Sequence, residues 1–248
     1  MKMFAAIWTA TSLLLLAALP AGAAACRDIV FEDAPFTVCE ADPASETVRL
    51  FLNDTDGRPL GTFDNVEAGL AAEGLGLAFA MNAGMYHPDR RPVGLYVEDG
   101  VEIGRIVTRE GPGNFGLLPN GVLCLTDGGA RVVESRAFDR DRPPCRYATQ
   151  SGPMLVIDGA LHPRFLATST SRHVRNGVGV TTDGRLVAAI SNRPVNFHRF
   201  ARLFRDVLGT PNALYMDGNV SRLYAPGLGR HDAGFPMGAM LGVVAPAD

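Results

Sequence analysis

The stretch RNGVGVTTDGRLVAAISN, Arg175 to Asn192, places an Asp-Gly pair between two apolar runs. A tight turn whose central residues have φ above zero favours Asp or Asn followed by Gly, so this segment reads as a hairpin with strands at 178–182 and 186–191. The same pairing recurs at 56–57, 99–100, 120–121, 127–128 and 158–159, generally between short apolar or β-branched runs. Further strands are therefore expected at 48–53, 93–97, 101–107, 122–125, 130–134 and 154–157. The chain reads as one α+β domain, predominantly antiparallel or mixed β-sheet with hairpins and a few amphipathic helices.

Two segments break this rhythm. In NFHRFARLFRDVLG, Asn196 to Gly209, the residues Phe197, Phe200, Phe204, Val207 and Leu208 share one helical face, and Gly209 closes the C-terminus. DNVEAGLAAEG, 64–74, reads as a shorter helix with Asp64 or Asn65 as N-cap and Gly74 at its end. Each helix runs into an apolar strand, and the two strands are alike. AFAMNAGMY (78–86) and ALYMDGNVS (213–221) both carry Ala-x-x-Met, then Asn or Asp, then small residues. If the likeness is structural, Asn82 and Asp217 reach the same edge of a sheet.

With 248 residues, 47% of them hydrophobic, the chain can bury a sizeable core. Only 20% are charged and the formal net charge is −3, so nothing in the composition points to the basic stripe that nucleic-acid binding requires, and no nucleic-acid partner is expected. Residues 1–25 have a short positive start, an apolar stretch and a small-residue end, the pattern of a secretory signal, leaving 26–248 as the mature domain. Beyond it no apolar run reaches the ~18 residues of a membrane span, so no transmembrane segment is expected. Export to the periplasm or medium suits four cysteines without Cys-x-x-Cys spacing. The simplest pairing is local, Cys26 with Cys39 and Cys124 with Cys145, with two other connectivities open. A lipid anchor on Cys26 is the lesser alternative, because Ala23 stands where such sites carry a Leu-like residue. Lys2 is the only lysine, so Schiff-base and Ser–Lys chemistry have no residue to run them after processing.

No G-x-S-x-G elbow, H-E-x-x-H or phosphate-cradling P-loop is present. Ser151, in TQSGPML, has no base paired with it in sequence. No two histidines have the i, i+4 spacing of helical metal ligands, and neither a metal nor a cofactor is implied. His87 sits in the Gly- and Pro-rich loop MNAGMYHPDRRPVG, five residues after Asn82. Asp217-Gly218 has two readings, a further hairpin turn or a strand end that presents a carboxylate. The polar NVSRLYAPG that follows, where a partner strand would restart, favours the second.

Together, and in order, four segments resemble the phosphodiester glycosidase family. MNAGMY is similar to its Asn-Gly-Gly-aromatic motif, SGPMLVIDG to its Gly-Pro-x-Leu-x-x-x-Gly hairpin, and RNGVGVTTDGRL to its Arg-x-x-x-Gly hairpin. VNFHRFARLFRDVLGTPNALYMDGNVSRLY is similar to the helix, strand and Asp-Gly-Gly-x-Ser end that follow. The resemblance implies an exported hydrolase that takes a sugar-phosphate or glycan substrate and cleaves the glycosidic bond of a sugar-1-phosphodiester. By matching position it implies Arg175 as a phosphate clamp, Asp217 as base or nucleophile, Asn82 as an anchor near the reacting centre and His87 as acid or phosphate donor. Asn176, Asn219, Ser221, Tyr86, Ser151 and Gly218 would line the substrate side. Two positions depart from the pattern. Ala83 stands where the family has Gly, and Asn219 replaces the second Gly of Asp-Gly-Gly. Asn adopts φ above zero more readily than other side chains, so the turn is expected to survive with an added side chain in the pocket. Two other readings stay open, a catalytically silent glycan-binding or envelope-maintenance module and a phosphodiesterase that cleaves P–O.

Overall fold

The computed structural model describes residues 24–247, so the expected leader lies outside it but for its last two residues. Strands numbered in chain order form three antiparallel sheets. The first has seven strands in the order β1 (Ala25–Phe31), β2 (Ala34–Ala41), β13 (Leu186–Ser191), β12 (Asn176–Val180), β14 (Asn212–Asp217), β10 (Met154–Ile157) and β11 (Ala160–Leu161). The second runs β16 (Arg230–His231), β15 (Leu223–Ala225), β4 (Leu75–Asn82), β17 (Met240–Pro246) and β3 (Thr47–Phe51). The third runs β6 (Val101–Gly104), β5 (Tyr96–Glu98), β9 (Tyr147–Ser151), β7 (Gly121–Thr126) and β8 (Gly129–Glu134).

The three sheets enclose one core, and each packs a helix on its outer face. Leu186, Ala188 and Ile190 of β13, Leu214 and Met216 of β14, Phe79 and Met81 of β4, and Leu123 and Leu125 of β7 meet in the centre. The alternate residues point outward. Val187, Ala189, Ala213 and Tyr215 pack under Phe200 and Phe204 of the helix that begins as α3 (Phe197–Arg202). Phe63, Val66 and Leu70 of α1 (Phe63–Ala71) cover Leu77, Ala80 and Met240 on the second sheet. Phe138 of α2 (Ser135–Asp141) covers Val122, Cys124 and Ala148 on the third. Strands buried on both faces explain why β13 and β14 read as unbroken apolar runs rather than as alternation.

The Asp-Gly pairs at 99–100, 127–128 and 158–159 are two-residue hairpin turns, and Asp183-Gly184 lies in the turn between β12 and β13. Asn120-Gly121 is not a turn. Asn120 is buried at the start of β7, where its amide donates to the Phe115 carbonyl. One hairpin carries no glycine at all: β1 and β2 are joined by Glu32 and Asp33, both at positive φ. The expected long helix also changes form, since after Arg202 it continues as a π turn over Leu203–Val207. The wider turn leaves Val207 about half exposed, whereas Phe200, Phe204 and Leu208 stay inside. Thr62, rather than Asp64 or Asn65, caps α1 by accepting the Asn65 N–H.

Both disulfides follow the local pairing, Cys26 with Cys39 across β1 and β2, and Cys124 with Cys145. The first occupies the sulfur that a lipid thioether on Cys26 would need. No helix among the described residues is long and apolar enough to cross a membrane.

Candidate active site

Three strand ends meet where the first two sheets join. β4 ends at Asn82, β12 begins at Asn176 and β14 ends at Asp217, all three buried. Asn176 ties the others together. Its Nδ2 donates to Asn82 Oδ1 at 2.8 Å and to the Asn82 carbonyl at 3.0 Å, while its Oδ1 accepts the Asp217 N–H at 3.0 Å. Asn82 Oδ1 also accepts the Arg222 N–H at 2.9 Å, which fixes the start of β15. The two Ala-x-x-Met-Asx strand ends therefore do converge, one from each sheet, on a shared asparagine. Asp217-Gly218 is a crossing between sheets rather than a hairpin, because β14 lies in the first sheet and β15 in the second.

Past Asp217 the chain folds back on itself. Asp217 Oδ1 accepts the Asn219 N–H at 2.8 Å, and Ser221 Oγ donates to the Asp217 carbonyl at 2.8 Å. Ser151, buried at the end of β9, donates to the Met216 carbonyl at 2.9 Å and so braces the same strand end from the third sheet. Burial raises the Asp217 carboxyl above its ordinary value, and the N–H groups of Asn219, Gly218 and Val220 pull partly the other way. Among the described residues Asp217 makes no ion pair.

Asp217, Gly218, Asn219 and Val220 form one wall of a cleft of about 500 Å³. Met85, Tyr86 and Val93 form a second wall, and Pro112 to Phe115 a third. The Tyr86 hydroxyl is raised above its ordinary value by burial and by the Asp217 charge. Asn219 is exposed to this cleft, as its departure from glycine implied, but neither it nor Gly218 has positive φ. Gly218 is needed for space instead: a Cβ there would stand 1.9 Å from Tyr215 Oη and 3.9 Å from Arg175 Nη1.

Those two groups lie behind the cleft floor. Arg175 is only 1% exposed, its guanidinium carbon is 3.6 Å from the centre of the Phe197 ring, and Nε donates to the Val195 carbonyl at 2.9 Å. Nη2 donates to the Ser171 carbonyl at 3.3 Å. Nη1 and Tyr215 Oη are buried without a hydrogen-bond partner. Among the described residues no carboxylate pairs with this guanidinium, and burial lowers its pKa from the usual arginine value. The tyrosine hydroxyl is pushed up to about 12, chiefly by burial. A buried, unpaired cation is costly, and at the base of a cleft it sets up a positive field that favours an anionic occupant.

The structure thus gathers Asn82, Arg175, Asn176, Asp217, Gly218, Asn219 and Ser221 at one junction, with Tyr86 across the cleft, but the orientations differ from expectation. Asn176 and Ser151 spend their polar atoms inside the protein rather than lining the substrate side, and Asn82, expected as an anchor near the reacting centre, is tied to Asn176 and to the Arg222 N–H. Arg175 has one unpartnered nitrogen rather than a free fork, because two of its three are held by carbonyls. His87 is exposed and faces a separate concavity with Arg91 and Arg105. The sequence reading missed Tyr215 and Phe197, which it took for strand and helix apolar residues, and the wall at 112–115. Only the buried Tyr two residues before Asp217 offered a signal. Among the described residues no three His, Cys, Asp or Glu side chains are grouped to hold a metal ion.

A family profile described as phosphodiester glycosidase matches residues 76–243. The uncharacterized protein YigE of Escherichia coli (strain K12) is 32% identical over 216 residues, covering 86% of this chain and 84% of its own length. The fold is similar to that of the zebrafish N-acetylglucosamine-1-phosphodiester alpha-N-acetylglucosaminidase catalytic domain auto-inhibited by its pro-peptide. That similarity has a TM-score of 0.61 at 14% identity and covers 89% of this chain and 81% of the other. A hypothetical protein from Synechocystis is similar with a TM-score of 0.58 at 14% identity, over 89% of this chain and 61% of that one.

Proposed function

The chain belongs to the phosphodiester glycosidase family, and on that premise we propose that it is an exported hydrolase cleaving the glycosidic bond of a sugar-1-phosphodiester. The observation that carries this reading is the pairing of a buried carboxyl on the cleft wall with a buried, unpaired guanidinium beneath the floor. The first suits an oxocarbenium-like centre and the second an anionic leaving group.

In this reading the anomeric C–O bond breaks and its electron pair leaves with the phosphate, whose charge falls in the field of Arg175. Water supplies the new C–O bond. Asp217 either takes the water proton as base or first forms the glycosyl ester as nucleophile, and the raised pKa brings it toward a base's working range. A phosphate monoester leaves without full protonation, so no second carboxyl acid is required. Arg175 acts as a fixed charge held by Phe197, Val195 and Ser171, and Tyr215 fills the space between it and Gly218. Asn82, Asn176 and Ser151 act as positioning residues, while Tyr86 and Asn219 face the substrate. Two disulfides agree with an oxidising compartment and hence with export.

A methyl N-acetylglucosamine-1-phosphodiester in ¹⁸O water, with and without chelator, tests the proposal. Sugar release with label in the sugar is expected from the wild type and none from Asp217→Asn. Label in phosphate would establish P–O cleavage and overturn it. Saturable binding without turnover would instead support the glycan-binding reading, which the exposed Asn219 side chain in the cleft favours.

A further inference from the structure

Beside the Asp217 cleft, and sharing Val93 as a common wall, lies a second concavity of about 310 Å³. It is lined by His87, Arg91 and Arg105 together with apolar residues and glycine, and no carboxylate contributes to it. In a chain of formal net charge −3 this is a local excess of cation. Arg91 pairs with Asp89 at 2.6 Å, but Arg105 makes no ion pair among the described residues. Arg90, from the same loop, lies over the Tyr86 ring with its guanidinium carbon 5.3 Å from the centroid. Positive groups therefore continue outward from the ring that walls the first cleft.

We propose that this concavity is a subsite for a second phosphoryl group on the aglycone. The preferred substrate would then be a glycosyl phosphodiester whose leaving side carries further phosphate, as in a repeating phosphodiester polymer. The proposal rests on the Asp217 cleft holding the scissile phosphodiester. The chemistry is general. Arginine meets phosphate oxygens with charge-assisted hydrogen bonds, and a concavity lined by two arginines, one of them without an ion pair, and by no carboxylate admits an anion at little desolvation cost when one side stays open to water. The elaborate loop AMNAGMYHPDRRPVGLYVEDG supplies both walls, Tyr86 and Val93 to the first cleft, His87, Arg91 and Val93 to the second.

Two measurements separate this subsite from the catalytic reading. Calorimetry with inorganic tripolyphosphate reads the subsite without turnover. Wild type is expected to bind it, with affinity falling about fivefold in Arg105→Gln, consistent with losing one exposed charge contact, and unchanged in Arg58→Gln, an exposed arginine that lines neither cleft. No binding, or equal binding by wild type and Arg105→Gln, overturns the subsite whatever the enzyme does. Kinetics then compare a sugar-1-phosphoglycerol with the same compound bearing a second phosphate on the glycerol. A kcat/KM preference for the second that collapses in Arg105→Gln, with the first substrate unaffected, supports the proposal. No preference overturns it while leaving hydrolysis of the simple diester intact.

Discussion

At Gly218 the site depends on an absent atom. A methyl group there would meet Tyr215 Oη at 1.9 Å, so Gly218→Ala is expected to cost about 1–3 kcal/mol through overpacking and to displace Asp217. The double variant Gly218→Ala/Tyr215→Phe should recover most of the lost thermal stability, as measured by calorimetry. A Gly218→Ala protein as stable as wild type would show that the close approach is not real. Asp217 itself carries a stability signature. Its folded pKa lies above the ordinary 3.8 because of burial, so between the two values the native state holds a proton that the unfolded state has lost. Stability contributed by this group is therefore full below the ordinary value, falls as pH rises through the folded pKa, and stays low at neutrality. Asp217→Asn is expected to unfold at a higher temperature than wild type at pH 7 while losing turnover, and the advantage should shrink as the pH falls through the raised folded pKa toward the ordinary 3.8. A melting temperature for the variant at or below wild type at pH 7 would contradict that assignment.

Among the elements, the joint between the first two sheets depends on Asn176. Replacing it with Ala leaves the Asp217 N–H and the Asn82 Nδ2 without partners, a loss of about 3 kcal/mol for buried polar groups. Hydrogen exchange should then quicken at the ends of β4 and β14 before it does in β13, and uniform exchange across all three would argue against a local joint. The sequence revealed much of this framework. β10 and β13 fall at the expected residues, because Asp-Gly turns bracket short apolar runs, and the helix–strand pairs ending in Asn82 and Asp217 could be read from Ala-x-x-Met-Asx. It hid the β1–β2 hairpin, since Glu32 and Asp33 take positive φ without a glycine to announce it. It also misassigned Asn120-Gly121, where burial rather than a turn claims the asparagine. At the site the residue types were legible but their directions were not. An asparagine at a strand end looks the same whether it faces substrate or, as Asn176 does, serves as a structural tie.

For the whole molecule, the two disulfides close short stretches, 13 and 21 residues apart in sequence, and in the chain-entropy account each stabilises by about 3 kcal/mol. Reduction is expected to lower the midpoint of denaturant unfolding without changing which bond the enzyme cleaves. Cysteine-to-serine variants at 26 and 39, assayed beside a 124 and 145 pair, would show whether either bridge alone accounts for the loss. Chain order matters as much as cross-linking. β17, the last strand, inserts between β4 and β3, so the strand that delivers Asn82 lacks one neighbour until residues 240–246 are available. A nascent polypeptide emerging from N- to C-terminus therefore cannot organise its carboxylate junction early, and a version ending at Ala239 should be inert although every proposed reacting group is present.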